Sequence, residues 1–386
     1  MKSLYASLFL LSVLIPGPGL AQQAAFTVAN QRNPSSQTVV QLDTPAQQRI
    51  AGAQLQIRTD PKKVQAYNEL ALAFLRRTRE TADPKYLKDA DAALSQGLKL
   101  DSTDFQLQRT QIALMLSRHE FAQARDRATV LNYRTPDDVM TYGYIAEADI
   151  ALGNYPEAET NVQWMMNLRP YNTPALLVGA RLRTLYGDAH GAIDFLTRAY
   201  SQTSPAEVED LAWIANQIAS IQIESGQSAA AAQTLEGAEQ VFPHYPNTME
   251  NLARVRMAEN RASDAVQILM QVSSIDNDPH ALYEMARAQE AAGQVKEAHA
   301  TYAEFEKLAS EPGRASDASR LDLILMYAES SATAPNALKL AQQEIAARHD
   351  VRTLDAYAWA LYANAKYQDA DAAVQKAIAV GIQSAQ

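Results

Sequence analysis

Between residues 139 and 170 apolar and small side chains fall three or four positions apart, twice over. Tyr142, Ile145 and Ala146, with Asp149 a turn further on, mark one face of a first helix. Gly153-Asn154-Tyr155 then interrupts the pattern, and Ala158, Val162 and Met165 define a second helix that Pro170 closes. The pattern predicts a helical hairpin, and it returns. Ala90, Ala124, Ala158, Ala192, Ala231, Ala265, Ala298, Ala337 and Ala370 are separated by 34, 34, 34, 39, 34, 33, 39 and 33 residues. One hairpin cannot bury its apolar face alone, so a period of this length predicts hairpins stacked in a row.

The other units register on this one. Gly187, Gly226 and Gly293 fall in the slot of Gly153, and His119, Asn260 and Ala365 occupy it in three more units. That slot ends the first helix, where a left-handed residue is expected and Gly or Asn tolerates it best. The small residue of the first helix recurs as Ala71, Ala180, Ala219, Ala253, Ala286 and Ala358, whereas Ile112 and Leu325 depart from it. Small side chains are expected where the two helices of a unit press together; overpacking there costs about 1–3 kcal/mol.

Here the chain resembles the tetratricopeptide repeat family, whose units carry an aromatic, Leu, Gly or Ala and Tyr on the first helix, then Ala, Phe, Ala and a closing Pro on the second. Tyr357-Ala358-Trp359-Ala360-Leu361-Tyr362, with Lys366-Tyr367-Gln368-Asp369-Ala370, and the earlier run from Tyr67 to Arg77 look like a widespread group of exported bacterial members. The resemblance implies an all-α, right-handed superhelical solenoid of helix-turn-helix repeats and no assigned chemistry. It also implies one more short helix after the final unit. That unit is therefore expected to be capped by Gly381 to Gln386 or by a partner.

Four segments follow. Residues 1–21 read as a secretory signal peptide: Lys2, an apolar run from Leu4 to Ile15, a Pro-Gly break and small residues before a cut after Ala21. The run is shorter than the roughly 20 residues a membrane-spanning helix needs. Residues 22–44, rich in Gln, Asn, Ser and Thr, read as a flexible polar arm. Residues 45–61 read as a capping helix, and 62–386 as about nine repeats. A periplasmic or secreted location is expected. The regular period breaks at Thr78 to Asp83, at Thr203 to Glu209, and at Pro312 to Ser316 with Ser330 to Pro335, which predicts longer loops on one edge.

Composition removes several functions. The formal charge of −10 argues against a nucleic-acid or anionic lipid partner, and the absence of cysteine removes thiolate metal sites and thiol nucleophiles. The six histidines form no paired ligand spacing, and His119-Glu120 lacks the second His of a zinc peptidase helix. No phosphate loop or nucleophile elbow occurs. No metal, cofactor or enzymatic activity is expected. Tyr67, Tyr142, Tyr155, Tyr302, Tyr357 and Tyr367 are expected to pack between helices.

Binding is then expected on the inner groove, lined by first helices. Helical spacing drafts Arg181, Trp213, Asn216, Arg254, Tyr283, Arg287, Trp359 and Tyr362 as groove residues. The three arginines would form a basic strip suited to an anionic or C-terminal segment, unless they pair with Glu250, Glu284 and Glu290. Family members that clamp a C-terminal carboxylate use a Lys and Asn set absent here. The expected function is an interaction scaffold of the bacterial envelope that holds an extended peptide or protein surface. The alternative is a structural subunit of an envelope secretion or polysaccharide-export assembly, joined end to end through its terminal repeats.

Overall fold

Many of the chain reversals carry a capping residue or a left-handed turn. Asp104, Asp138, Asn172, Asp188, Ser316 and Asp350 each accept a backbone N–H from the first turn of the helix they open. Thr44 and Gln47 form a reciprocal capping box. At the first-helix ends, Gly153, Gly187, Gly226 and Gly293 adopt positive φ, and so do His119, Asn260 and Ala365 in the same slot.

The computed structural model describes residues 44–275, 278–311 and 316–381. They contain nineteen α-helices and no strand. A leading helix, α1 (Pro45–Thr59), precedes nine pairs: α2 (Val64–Thr81) with α3 (Lys85–Leu100), α4 (Phe105–Ser117) with α5 (Phe121–Arg134), and α6 (Val139–Ala151) with α7 (Tyr155–Leu168). Next come α8 (Thr173–Leu185) with α9 (Ala189–Gln202), α10 (Val208–Glu224) with α11 (Ser228–Val241), and α12 (Pro246–Ala258) with α13 (Ala262–Ile275). The last pairs are α14 (His280–Ala291) with α15 (Val295–Ala309), α16 (Asp317–Ala328) with α17 (Ala334–Ala347), and α18 (Val351–Ala363) with α19 (Tyr367–Ile378). Each helix packs on the next, and first helices pack on the first helices of adjacent units, as in a helical solenoid. The expected signal peptide, nearly all of the polar arm and the expected loop at 312–315 lie outside the described residues.

The periodic alanines form the spine. All nine are buried, none more than 6% exposed. The core is consequently a chain of small clusters. Ala219, Ala231, Leu235 and Val255 make one; Ala253, Ala265, Val266, Leu269 and Ala288 make the next.

Two of the expected loops are present but shortened, because part of each is helix: residues 203–207 and 82–84 remain loop. Residues 78–81 extend α2, which runs 18 residues against 13 in α4, α6 and α8. Glu209 lies inside α10, which is 17 residues long because it starts a turn early. In both cases the added residues continue the hydrogen-bonded ladder, which satisfies their backbone groups as a free loop would not. The expected loop near Ser330 is a short turn before α17.

Distant units also touch. Val351, Leu354 and Ala377 of the last pair share one cluster with Ile150, Tyr155, Val178 and Leu182, and Val380 packs against it. The His349 amide donates to the Ala151 carbonyl at 2.9 Å. Part of the last unit's apolar flank is therefore covered by the chain's own middle, an arrangement that the expected choice between a terminal cap and a partner did not include.

Candidate interaction surface

First helices place residues four and seven apart on one stripe, and along this stripe charges are compensated within the protein. Arg181 pairs with Glu147 of the preceding unit. Arg254 donates to Ser220 at 3.2 Å and Asn251 at 3.0 Å and lies 3.8 Å from Glu224. Arg352 reaches the same Glu224 at 3.5 Å from four units away. Arg287 lies 3.6 Å from Glu284, with its guanidinium 6.0 Å from the Tyr283 ring. The expected basic strip is thus an ion-paired ladder. Of the anticipated counter-ions Glu284 is used as foreseen, while Glu147 and Glu224 supply the other two arginines.

The remaining predicted groove residues divide. Asn216 is buried: its amide donates to the Ala212 carbonyl at 2.8 Å and to Thr248 at 2.7 Å, and its oxygen accepts from Asn251 at 3.0 Å. Such a side chain has little capacity left for a ligand. Tyr283 is also interior, tilted against Phe305 with centroids 5.2 Å apart. Both were drafted from spacing, which fixes the face but not how closely the neighbouring unit covers it. Trp213 is half-buried against the Leu176 and Ile214 cluster.

Trp359 and Tyr362 stand out, 53% and 59% exposed, with rings 6.1 Å apart and nearly perpendicular. Tyr367, expected to pack between helices, joins them instead: it is 60% exposed and 5.3 Å from Tyr362. Three contiguous rings open to solvent form an amphipathic contact surface of the kind proteins use as binding anchors.

Histidines follow local charge. His280 at the start of α14 sits 2.6 Å from Asp322 of α16, so this His bridges two units. Burial opposes its protonation, yet the Asp322 hydrogen bond and charge, with Glu250 and Glu284 beyond, raise its pKa to about 10. His119 is the opposite case: burial, then the Arg348 charge, lowers it to about 4. No cluster of three or more ligating side chains occurs among the described residues.

Sequence reasoning missed one constellation altogether. Arg76, just before the extension of α2, and Arg79, within it, meet Glu207, Glu209 and Asp210 at the early start of α10. Glu209 is fully buried and accepts from Arg76 at 2.9 Å, from Arg79 at 2.7 Å and from the Tyr245 hydroxyl at 3.3 Å. Burial pushes the Glu209 carboxyl up, but the hydrogen bonds and charges of Arg79 and Arg76 outweigh it and leave its pKa lowered. Burial prevails at Asp210, which is raised. Part of the signal was present: Arg79 lies in one break of the period and Glu207 and Glu209 in another, whereas the hub, Arg76, precedes its break.

This architecture has known counterparts. Residues 222–283 match the tetratricopeptide repeat family model. Among curated proteins none matches the chain. A chain of the Cut9–Hcn1 hetero-tetramer of the APC/C superposes with TM-score 0.54 at 14% identity, over 78% of this chain and 56% of that one. The protein thus spans little more than half of that relative's length. A human IFIT1 dimer with PPP-AAAA superposes with TM-score 0.53 at 10% identity, over 88% of this chain and 96% of that one. The fold is thus a helical solenoid of the tetratricopeptide-repeat kind, and residues 222–283 match that family by sequence. Repeats of this class are in general protein-interaction modules.

Proposed function

We propose that the chain is a non-enzymatic interaction scaffold of the bacterial envelope, exported by residues 1–21, whose inner face holds an extended peptide or protein surface. The observation that carries this reading is the Trp359, Tyr362 and Tyr367 surface, in which aromatic area is displayed without a covering element among the described residues. Rigid aromatic anchors suit protein partners because they offer contact area at low entropic cost. An anionic partner segment has to displace Glu147, Glu224 or Glu284 from the arginines, so the aromatic anchors are expected to contribute more than the arginine strip. No helix among the described residues is long and apolar enough to cross a membrane. The end-to-end assembly reading has less support, since α18 and α19 already seat against α6 to α8.

Cross-linking in the native envelope followed by mass spectrometry tests the reading. Trp359→Ala with Tyr362→Ala should remove the partner cross-links of the inner face. Trp164→Ala, an exposed tryptophan on the second helix α7, should leave them. Identical cross-links in both variants would refute the groove. N-terminal sequencing should find Gln22 first; a membrane-bound chain that still carries Met1 would refute export by cleavage.

A further inference from the structure

The two units that depart in helix length from their neighbours are in contact with each other. The extra turn of α2 lies against the extra turn of α10, about four units along the chain. Arg76 forms the hub: Nε to Glu209 at 2.9 Å, Nη1 to Glu207 at 2.6 Å and Nη2 to Asp210 at 2.6 Å. Arg79 adds contacts to Glu209 at 2.7 Å and Asp210 at 3.1 Å, Arg49 of α1 grips Glu207, and Tyr245 closes the set from the start of α12. Beside the hub, Arg77 holds Glu80 at 2.7 Å, and Glu80 in turn accepts from Thr44 at 2.5 Å, which ties α1 to α2.

The position of this contact matters. Glu209, Trp213 and Asn216 lie four and seven residues apart on α10, so the end of α2 rests at the head of the inner-face stripe. The joint behind it is apolar: Leu107 and Leu114 of α4 share one buried cluster with Leu70, Ala90 and Leu94 of α2 and α3. On the side where α3 and α5 meet over α4, an open crevice of about 560 Å³ is lined by Leu98, Ser102, Gln111, Ile112, Val130 and Arg134. That crevice lies at the outer edge of the packed joint between the first unit and the second.

The contact made by the other end of the chain is chemically different. Val351, Leu354 and Ala377 are held by apolar burial, which salt does not screen. The α2–α10 contact is held by charges, several of them partly exposed: Arg79 at 46%, Asp210 at 41% and Arg49 at 51% of the side chain. Ionic strength therefore acts on one closure and spares the other.

We propose that α1 to α3 form a gate over the inner face, latched by the Arg76–Glu209 ion cluster, while the α18–α19 contact stays shut. Closing the latch is favoured only while the full charge set is present, because a buried charge that loses its partner is strongly unfavourable. That the open gate admits a partner rests on the groove reading above; the motion itself does not.

The chain has no cysteine, so spin labels can be placed cleanly. Double electron–electron resonance between Gly52→Cys and Ala229→Cys reads the gate; Glu157→Cys with Gln375→Cys reads the apolar contact. At about 1 M salt, where the screening length shrinks to about 3 Å, the first pair should gain a longer population and the second should not. Glu209→Gln should produce the longer population at low salt. If that variant loses helical circular dichroism, a short bis-maleimide crosslink between Arg49→Cys and Glu207→Cys in the otherwise native chain replaces it. Hydrogen exchange of the first turn of α10 should then cease to respond to salt. A first pair unchanged by salt, both pairs lengthening together, or exchange indifferent to the crosslink would each overturn the gate. Every readout is taken without a partner, so failure of the groove reading leaves it unaffected.

Discussion

The Tyr155 hydroxyl accepts the Val351 backbone N–H at 3.2 Å, joining the start of α7 to the start of α18 across 196 residues. Burial, with Asp350 nearby, pushes the Tyr155 pKa up to about 12, so the hydroxyl stays neutral. Tyr155→Phe keeps the ring in its cluster and removes only this bond. The expected cost is about 1 kcal/mol. Leu354→Ala, which opens a cavity in the same cluster, should cost about 2–5 kcal/mol. Urea unfolding of both variants checks the ranking; equal losses would mean that the contact between α7 and α18 is not apolar in origin.

The hairpin period was legible because neighbouring units meet through the same residues each time. Alanine at nine registered places, and a left-handed residue at seven, leave little choice of local fold. Contacts between distant units were not legible. Which unit meets which depends on small rotations summed over several repeats, and no spacing encodes that sum. The ion ladder lay between these extremes: Glu147 stands 34 residues before Arg181, the same helix position one unit earlier, and could have been paired from register alone. Burial of Asn216 and Tyr283 could not, because helical spacing gives a face and not the depth of the neighbouring unit over it.

Register also separates two alanines of α11 that stand two residues apart. Ala231 is wholly buried between α10 and α12, while Ala229 is exposed. Ala231→Leu should destabilise by about 1–3 kcal/mol, since the helices must part to admit it. Ala229→Leu should change stability by less than about 0.5 kcal/mol. Thermal melts of the pair measure the contrast, and similar melting points would remove the alanine spine as the basis of unit packing.

Gly153 and Gly226 share one slot and one conformation, φ +79° and +73°, but not one environment. A Cβ on Gly226 meets nothing within 4 Å, whereas one on Gly153 falls 3.0 Å from the His349 carbonyl oxygen. Gly226→Ala should cost about 1–2 kcal/mol, the left-handed penalty alone. Gly153→Ala should cost more, with the excess appearing as faster hydrogen exchange at the start of α18. Equal costs would place His349 away from this turn in solution.

The two perturbed histidines predict opposite limbs of a pH–stability curve. His280 is raised from 6.5 to about 10, so its contribution is complete below about 6.5 and is lost as pH climbs through about 10. Burial raises Asp322 as well, and the sign is the same: the folded state holds both protons more tightly, and stability falls as pH rises. His119 is lowered from 6.5 to about 4, so its contribution is complete above 6.5 and fades as pH falls toward 4. Nuclear magnetic resonance should find one imidazole charged and the other neutral throughout the range between 6.5 and 8. Asp322→Asn removes the carboxylate that overcomes the burial of His280, which should then lose its charge below neutral pH. The stability deficit of that variant should shrink as the native chain is taken through pH 10. A His280 resonance that titrates near 6.5 in the native chain would mean that the α14–α16 contact does not hold the ion pair.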